Sequence, residues 1–153
     1  MIPVGGEAGF EDFVTSAEPK LRRAFVAAFG PERGVEATAE ALAYGWERWP
    51  EIRSFDNPVG YLYRVGRSRT RVRKVRRLFE RPANPDQWTE PGLGKALQKL
   101  SEPERVAVVV TYCSDMSRRE AASMLQISEA ALQKRAERGL ARLRRSLGVQ
   151  SDE

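Results

Sequence analysis

Two runs of basic side chains dominate the chemistry this sequence can offer. Arg64, Arg67, Arg69, Arg71, Arg73, Lys74, Arg76, Arg77 and Arg81 fall in one stretch relieved only by Glu80, and Lys134, Arg135, Arg138, Arg142, Arg144 and Arg145 close the chain. Guanidinium and ammonium groups at this density neutralise a phosphate backbone, and arginine can pair two hydrogen bonds with a base edge. Two separate runs imply two places of contact with a polyanion, and the net charge of +5 draws the whole chain toward one. Bond-making chemistry has no comparable support. There is no histidine, and Cys113 is the single cysteine, which removes disulfides, Cys/His zinc sites and histidine-dependent triads. No carboxylate cluster or nucleophile–base pair stands out, so neither an enzyme, nor a metal, nor a cofactor is expected. Cys113 follows the apolar run Val106 to Val110 and reads as a packing residue.

Helices must position these charges, because the apolar residues recur at helical spacing and no strand pattern appears. Phe10, Phe13, Val14, Ala17, Leu21, Ala24, Phe25, Ala28 and Phe29 mark a first helix, which Pro19 is expected to kink or split and which Gly30 and Pro31 end. A second helix is expected from about Gly34 to Trp49, burying Val35, Leu42, Trp46 and Trp49 before Pro50 stops it, with a loop over 52–57. Asn57 before Pro58 is a helix start, since asparagine caps free amides and proline suits the first turn. That helix is expected to reach Phe79, with Leu62, Val65, Val72, Val75 and Phe79 on its packed side and Arg64, Arg67, Arg71 and Lys74 in a stripe on another.

From Arg81 to Gly94 the composition shifts to proline and glycine, with Trp88 as the large apolar exception, which marks a linker. The expected organisation is therefore all-α, with a helical module over 1–80, a linker over 81–92 and a second helical module over 93–153. In the second module Ser101 with Glu104, and Ser117 with Glu120, fit the serine-x-x-glutamate capping box. With 41% hydrophobic and 31% charged residues the chain should fold in water. No signal peptide or membrane-length apolar run is visible, so a cytoplasmic protein without membrane insertion is expected.

Ser117 to Leu125, then Gln126 and Ile127, then a helix from Ser128 has the spacing of a helix-turn-helix unit, whose second helix enters the major groove with its first turns. Ala121 and Ala122 are small where the two helices must cross, and Leu132, Ala136, Leu140, Leu143 and Leu147 mark the buried stripe of the last helix. Ser128, Glu129, Gln133, Lys134, Arg135 and Arg138 are then placed to meet bases and phosphates. Arg142, Arg144 and Arg145 lie too far along and are expected to meet phosphate or solvent.

This layout resembles the extracytoplasmic-function sigma factors of bacterial RNA polymerase. Residues 96–105, 117–128 and 138–145 are similar to the family's region four, and residues 43–49 and 57–64 resemble its region two. The resemblance implies a transcription initiation factor that binds the polymerase core and promoter DNA, often held in check by an anti-sigma partner. It places core binding on the helix with Glu36, Glu40 and Trp46, and the opened downstream strand on Arg53, Phe55, Asn57, Tyr63, Arg64, Arg67, Ser68, Arg71 and Lys74. Aromatic rings beside arginines suit an unpaired strand, because bases stack on the rings while cations track the backbone. Four positions depart from the family pattern: Ala39 stands where glutamine is usual, Ser68 where asparagine is usual, Val72 where aspartate is usual, and Gln126 where the turn usually has glycine. The first leaves open an alternative, a sigma-derived helix-turn-helix regulator with weakened core binding.

Overall fold

The computed structural model describes residues 5–71 and 92–148, with the side chains of 5–8 and 71 left aside. The outer part of the expected basic stripe (Lys74 onward), Trp88 and the linker up to residue 91 lie outside the described residues. Among those described, every regular element is helical: α1 (Gly5–Phe29), α2 (Pro31–Glu47), α3 (Trp49–Ile52), α4 (Pro58–Arg71), α5 (Leu93–Gln98), α6 (Glu102–Tyr112), α7 (Arg118–Leu125) and α8 (Glu129–Ser146).

α1 is the shared wall of the fold. It packs against α2 and α4 on one side and against α6 on another, and α6 in turn carries α8. Leu21, Ala24 and Phe25 of α1 are fully buried, as is Leu62 of α4, and one apolar cluster continues from them into Val106, Ala107, Val110, Ala121, Met124 and Leu132. A smaller cluster of Ala96, Leu97, Leu100, Val108 and Leu143 ties α5 to α6 and α8.

Pro19 neither splits nor ends α1, which runs through it for 25 residues. Burial of the flanking Ala17 and Leu21 in the core offsets the lost backbone hydrogen bond. The chain reverses instead at Gly30, whose φ of 91° is open to glycine at low cost, and Pro31 opens α2 directly.

α2 corrects the expected burial. Val35 is 54% exposed and Trp46 47% exposed, while Gly34, Ala37, Thr38, Ala41 and Gly45 face inward. The helix buries its small residues because the crossing is too close for large ones. A Cβ on Gly34 would lie 2.4 Å from the Val26 Cα, so the two backbones nearly touch there. Trp49 is buried as expected, but it opens α3, where proline at the second position is tolerated because that amide needs no intrahelical partner.

Cys113 is exposed, contrary to the packing role expected from the run before it. It lies past the end of α6 as the C-cap residue, so its side chain leaves the buried stripe while its carbonyl accepts a hydrogen bond from Arg23.

A buried cation organises the centre. Arg105, 3% exposed, donates from Nε to the Ala27 carbonyl, from Nη2 to the Ala28 carbonyl at 2.9 Å and from Nη1 to the Leu100 carbonyl at 3.0 Å. It thereby satisfies carbonyls that the end of α1 leaves open, the favoured place for a cation on a helix. Burial pulls the guanidinium pKa down from its ordinary value, and the nearby Glu102 carboxylate pushes it back up.

Candidate nucleic-acid interface

Local chemistry fixes the helix-turn-helix of α7 and α8. The Ser117 hydroxyl accepts from the Glu120 amide at 3.0 Å, and the Ser128 hydroxyl accepts from the Ala131 amide at 3.0 Å, so both helices start on serine caps. Between them the Ile127 amide donates to the Ala122 carbonyl at 3.0 Å and the Gln126 amide to the Ser123 carbonyl at 3.1 Å. This is the paired bonding that closes a helix through a left-handed residue, and Gln126 holds that conformation with φ 58° and ψ 42°. A non-glycine residue there carries strain, so Gln126→Gly is expected to stabilise the fold by about 0.5–1 kcal/mol, read as a rise in the urea midpoint.

The capping box expected at Ser101 and Glu104 is complete, and the one expected at Ser117 is half made. The Glu120 carboxylate turns across to α1 and meets Lys20 at 2.9 Å. That ammonium, with help from Ser117, holds the Glu120 carboxyl below its usual pKa.

Ala121, Ala122, Leu132, Ala136, Gly139 and Leu143 form the buried seam beneath α8, with Leu140 and Leu147 half-buried. Ser128, Glu129, Gln133, Lys134 and Arg138 are exposed. At 100° per residue, Lys134 and Arg138 lie near the middle of the open face, while Arg135 lies toward a flank and is half-buried. Gln133 donates to the Glu137 carboxylate one turn on, at 3.0 Å. Arg142 pairs with Glu104 at 3.1 Å rather than pointing free into solvent.

In the first half, the residues expected to meet an opened strand divide between surface and core. Arg53, Phe55, Arg64 and Ser68 are exposed, and Asn57 and Arg67 are half-buried. Tyr63 is 4% exposed, its ring stacked on Phe25 at 5.1 Å, so it offers no open face to a strand in this arrangement. Arg71 ends α4, its side chain undescribed, and Lys74 lies outside the described residues.

An aromatic and cationic cluster stands beside them that sequence reasoning named only in part. The Phe55 ring stacks on Tyr61 at 5.0 Å, and the Tyr44 and Tyr61 hydroxyls lie 3.2 Å apart. Arg48 and Arg69 both approach the Tyr44 ring, at 4.6 and 4.8 Å, and Arg64 lies 5.8 Å from Tyr61. The hydrogen bond with Tyr44, and after it burial, raises the Tyr61 pKa and favours its neutral phenol. Tyr44 lies in α2, Arg48 caps its end four residues on, and Arg69 comes from α4. The i, i+4 spacing of Tyr44 and Arg48 was the available signal, whereas the approach of Arg69 leaves no mark in the sequence.

Glu36 and Trp46 lie on the open side of α2, with Glu40 half-buried at its edge. Val35, Ala39, Ala43 and Trp46 make an exposed apolar strip flanked by Glu36 and Glu47, a surface suited to a protein rather than to DNA. Among the described residues no group of acidic, histidine or cysteine side chains could hold a metal, and no helix is long and apolar enough to cross a membrane.

Fold and site together define an all-helical protein with a serine-capped helix-turn-helix whose basic face is open. Residues 92–143 match the family described as Sigma-70, region 4. The chain is similar in fold to the sigma factor RpoE from Bartonella quintana, solved in complex with the anti-sigma factor NepR, with a TM-score of 0.68 and 19% identity over 93% of this chain and 98% of that one. Among curated proteins none matches the sequence. Residues 92–143 thus match sigma region four, and the described residues share the fold of a sigma factor.

Proposed function

We propose that this chain is a transcription initiation factor of the extracytoplasmic-function sigma type. It binds core RNA polymerase through the open face of α2, reads an upstream promoter element in duplex form through α8, and captures an unpaired strand of the downstream element on the first module. On this reading a first module over 1–80 and a second over 93–153 are joined by a linker over 81–92, the protein acts in the cytoplasm, and it carries out no bond chemistry of its own. An anti-sigma protein is a further class of partner. The observation that carries the reading is the serine-capped helix-turn-helix with its basic face open, in the segment that matches region four.

Within that face the roles divide by position. Gln133 and Lys134 lie in the first turns of α8 and meet base edges, whereas Arg135 on the flank meets a phosphate. Lys134→Ala is expected to remove about 1–3 kcal/mol of preference for the cognate duplex, and Arg135→Ala to weaken all duplexes alike while lowering the salt slope by about one. Competition titrations across salt concentration check both. Loss of preference from Arg135→Ala instead would exchange the two assignments.

The strand surface joins Arg53, Phe55, Asn57, Arg64, Arg67 and Ser68 to the Tyr44, Tyr61, Arg48 and Arg69 cluster. Bases stack on exposed ring faces and phosphates follow the guanidinium groups. A second reading, a sigma-derived regulator that binds DNA without the core, is favoured by one feature: Ala39 stands exposed on α2 where the family pattern has glutamine. Core binding separates the two readings.

A further inference from the structure

We propose that the contacts between α4 and the α6–α7 corner form a latch over one flank of the strand surface, so that the unpaired strand and the second module compete for Arg67 and Asn57. The proposal rests on the strand-capture reading given above. Arg67 donates from Nη2 to Glu102 at 2.9 Å and from Nε to the same oxygen at 3.1 Å. Asn57 donates from Nδ2 to the Ser123 carbonyl in α7 at 2.8 Å, while its Oδ1 caps the Gly60 amide at 3.0 Å. Two strand-binding side chains are therefore held by region four itself. A phosphate on Arg67 would stand where the Glu102 carboxylate now stands, and the two anions exclude one another.

The seam that carries these contacts is the weaker of the two between the halves. The α1–α6 seam is apolar and anchored by buried Arg105, whereas the α4 side joins polar pairs, Arg67 with Glu102 and Asn57 with Ser123, to the apolar side chains of Val59 and Met124. A cleft of about 260 Å³, lined by Lys20, Asn57, Val59, Arg119, Glu120, Ser123 and Met124, runs along it. The Arg67–Glu102 pair is part-buried but still reached by water, so the α4 contacts open at lower cost than the apolar α1–α6 seam that keeps the second module on α1. Glu102 is the key group, because it faces both Arg67 and Arg105.

The latch leaves other surfaces open. The groove-facing side of α8 is exposed with the latch shut, and so are Phe55, Arg48, Arg64 and Arg69. Duplex binding by region four therefore needs no opening, while full strand capture does. By linkage, a bound strand must open the latch by the same factor that opening the latch tightens the strand.

The test uses the full chain and a fluorescent mixed-sequence single strand of about twelve nucleotides, within the site sizes of such surfaces. Glu102→Gln is expected to tighten strand binding about three- to ten-fold, whereas the charge-matched control Glu11→Gln, on exposed α1 surface, is expected to tighten it less than two-fold. In a Cys113→Ser background, spin labels at Asp56→Cys and Arg119→Cys report the seam directly. A short distance should dominate in the free protein, lengthen when the strand is added, and be partly lengthened in Glu102→Gln alone. A strand bound with the distance unchanged, or equal tightening by both glutamine variants, overturns the latch and leaves strand capture standing. A chain that binds no strand in any form overturns strand capture itself and the latch with it.

Discussion

Gly34→Ala is expected to cost about 3 kcal/mol of folding stability, the upper part of the range for overpacking a core. The added methyl would lie 2.4 Å from the Val26 Cα and 2.5 Å from its nitrogen, and backbone inside a helix cannot step aside as a side-chain tip can. Gly45→Ala is the informative control. Its methyl would meet a Leu62 Cδ at 2.9 Å, which a rotamer change relieves, so about 1 kcal/mol is expected. Urea titration distinguishes them, with a large drop in midpoint for Gly34→Ala, a small one for Gly45→Ala and no change in slope for either. Equal effects would mean that α1 and α2 can separate freely, and that the small-residue crossing does not set the geometry of α2.

Trp46→Ala is expected to lower affinity for core RNA polymerase by at least about thirty-fold, the loss of a hot-spot aromatic worth 2 kcal/mol or more. Trp46 stands 47% exposed, packed at a tilt against Phe10 with ring centroids 5.3 Å apart, so its ring is held in place while part of it stays open. A large aromatic held this way loses little freedom on binding, which is why such residues dominate interface energies. Folding should suffer much less, because the core beneath α2 is made of Gly34, Ala37, Ala41 and Gly45 rather than of Trp46. Co-purification with core enzyme, alongside a melting curve of the free variant, separates binding from stability. Undiminished co-purification would move the core-binding face away from α2.

The parts of the fold that sequence made legible are those decided by local chemistry. Ser101, Ser117 and Ser128 start their helices because a hydroxyl beside free amides is a local arrangement, complete within four residues. The all-helical class followed from spacing, and the helix-turn-helix from caps plus a short turn. What stayed hidden depends on meetings between distant residues. Size led the reading of α2 astray, since Val35 and Trp46 are among its large apolar residues but the close approach of α1 at Gly34 admits only small ones. Glu120 fits a capping box, yet Lys20 on α1 competes successfully for its carboxylate. Arg105 reads as one more surface charge until the end of α1 supplies carbonyls for it. Tyr63 lies beside arginines in sequence, but the helical turn carries it to the Phe25 side of α4. The platform around Tyr44 needed two helices to be placed before it could be seen.

Position on the helix also sharpened the candidate DNA contacts. Lys134 and Arg135 are neighbours in sequence and equal in charge, but 100° of rotation puts one toward the centre of the open face and the other on its edge. Charge alone does not separate base reading from phosphate anchoring, and the difference in exposure supports the division proposed for them.

The central claim is that one chain couples a promoter to the polymerase core, and run-off transcription with purified core enzyme on a promoter template tests it most directly. A discrete transcript is expected that requires both the chain and its promoter and that fails with Trp46→Ala or Lys134→Ala. Sequence-specific duplex binding with no transcript, and with no core enzyme retained by the wild-type chain, would contradict it.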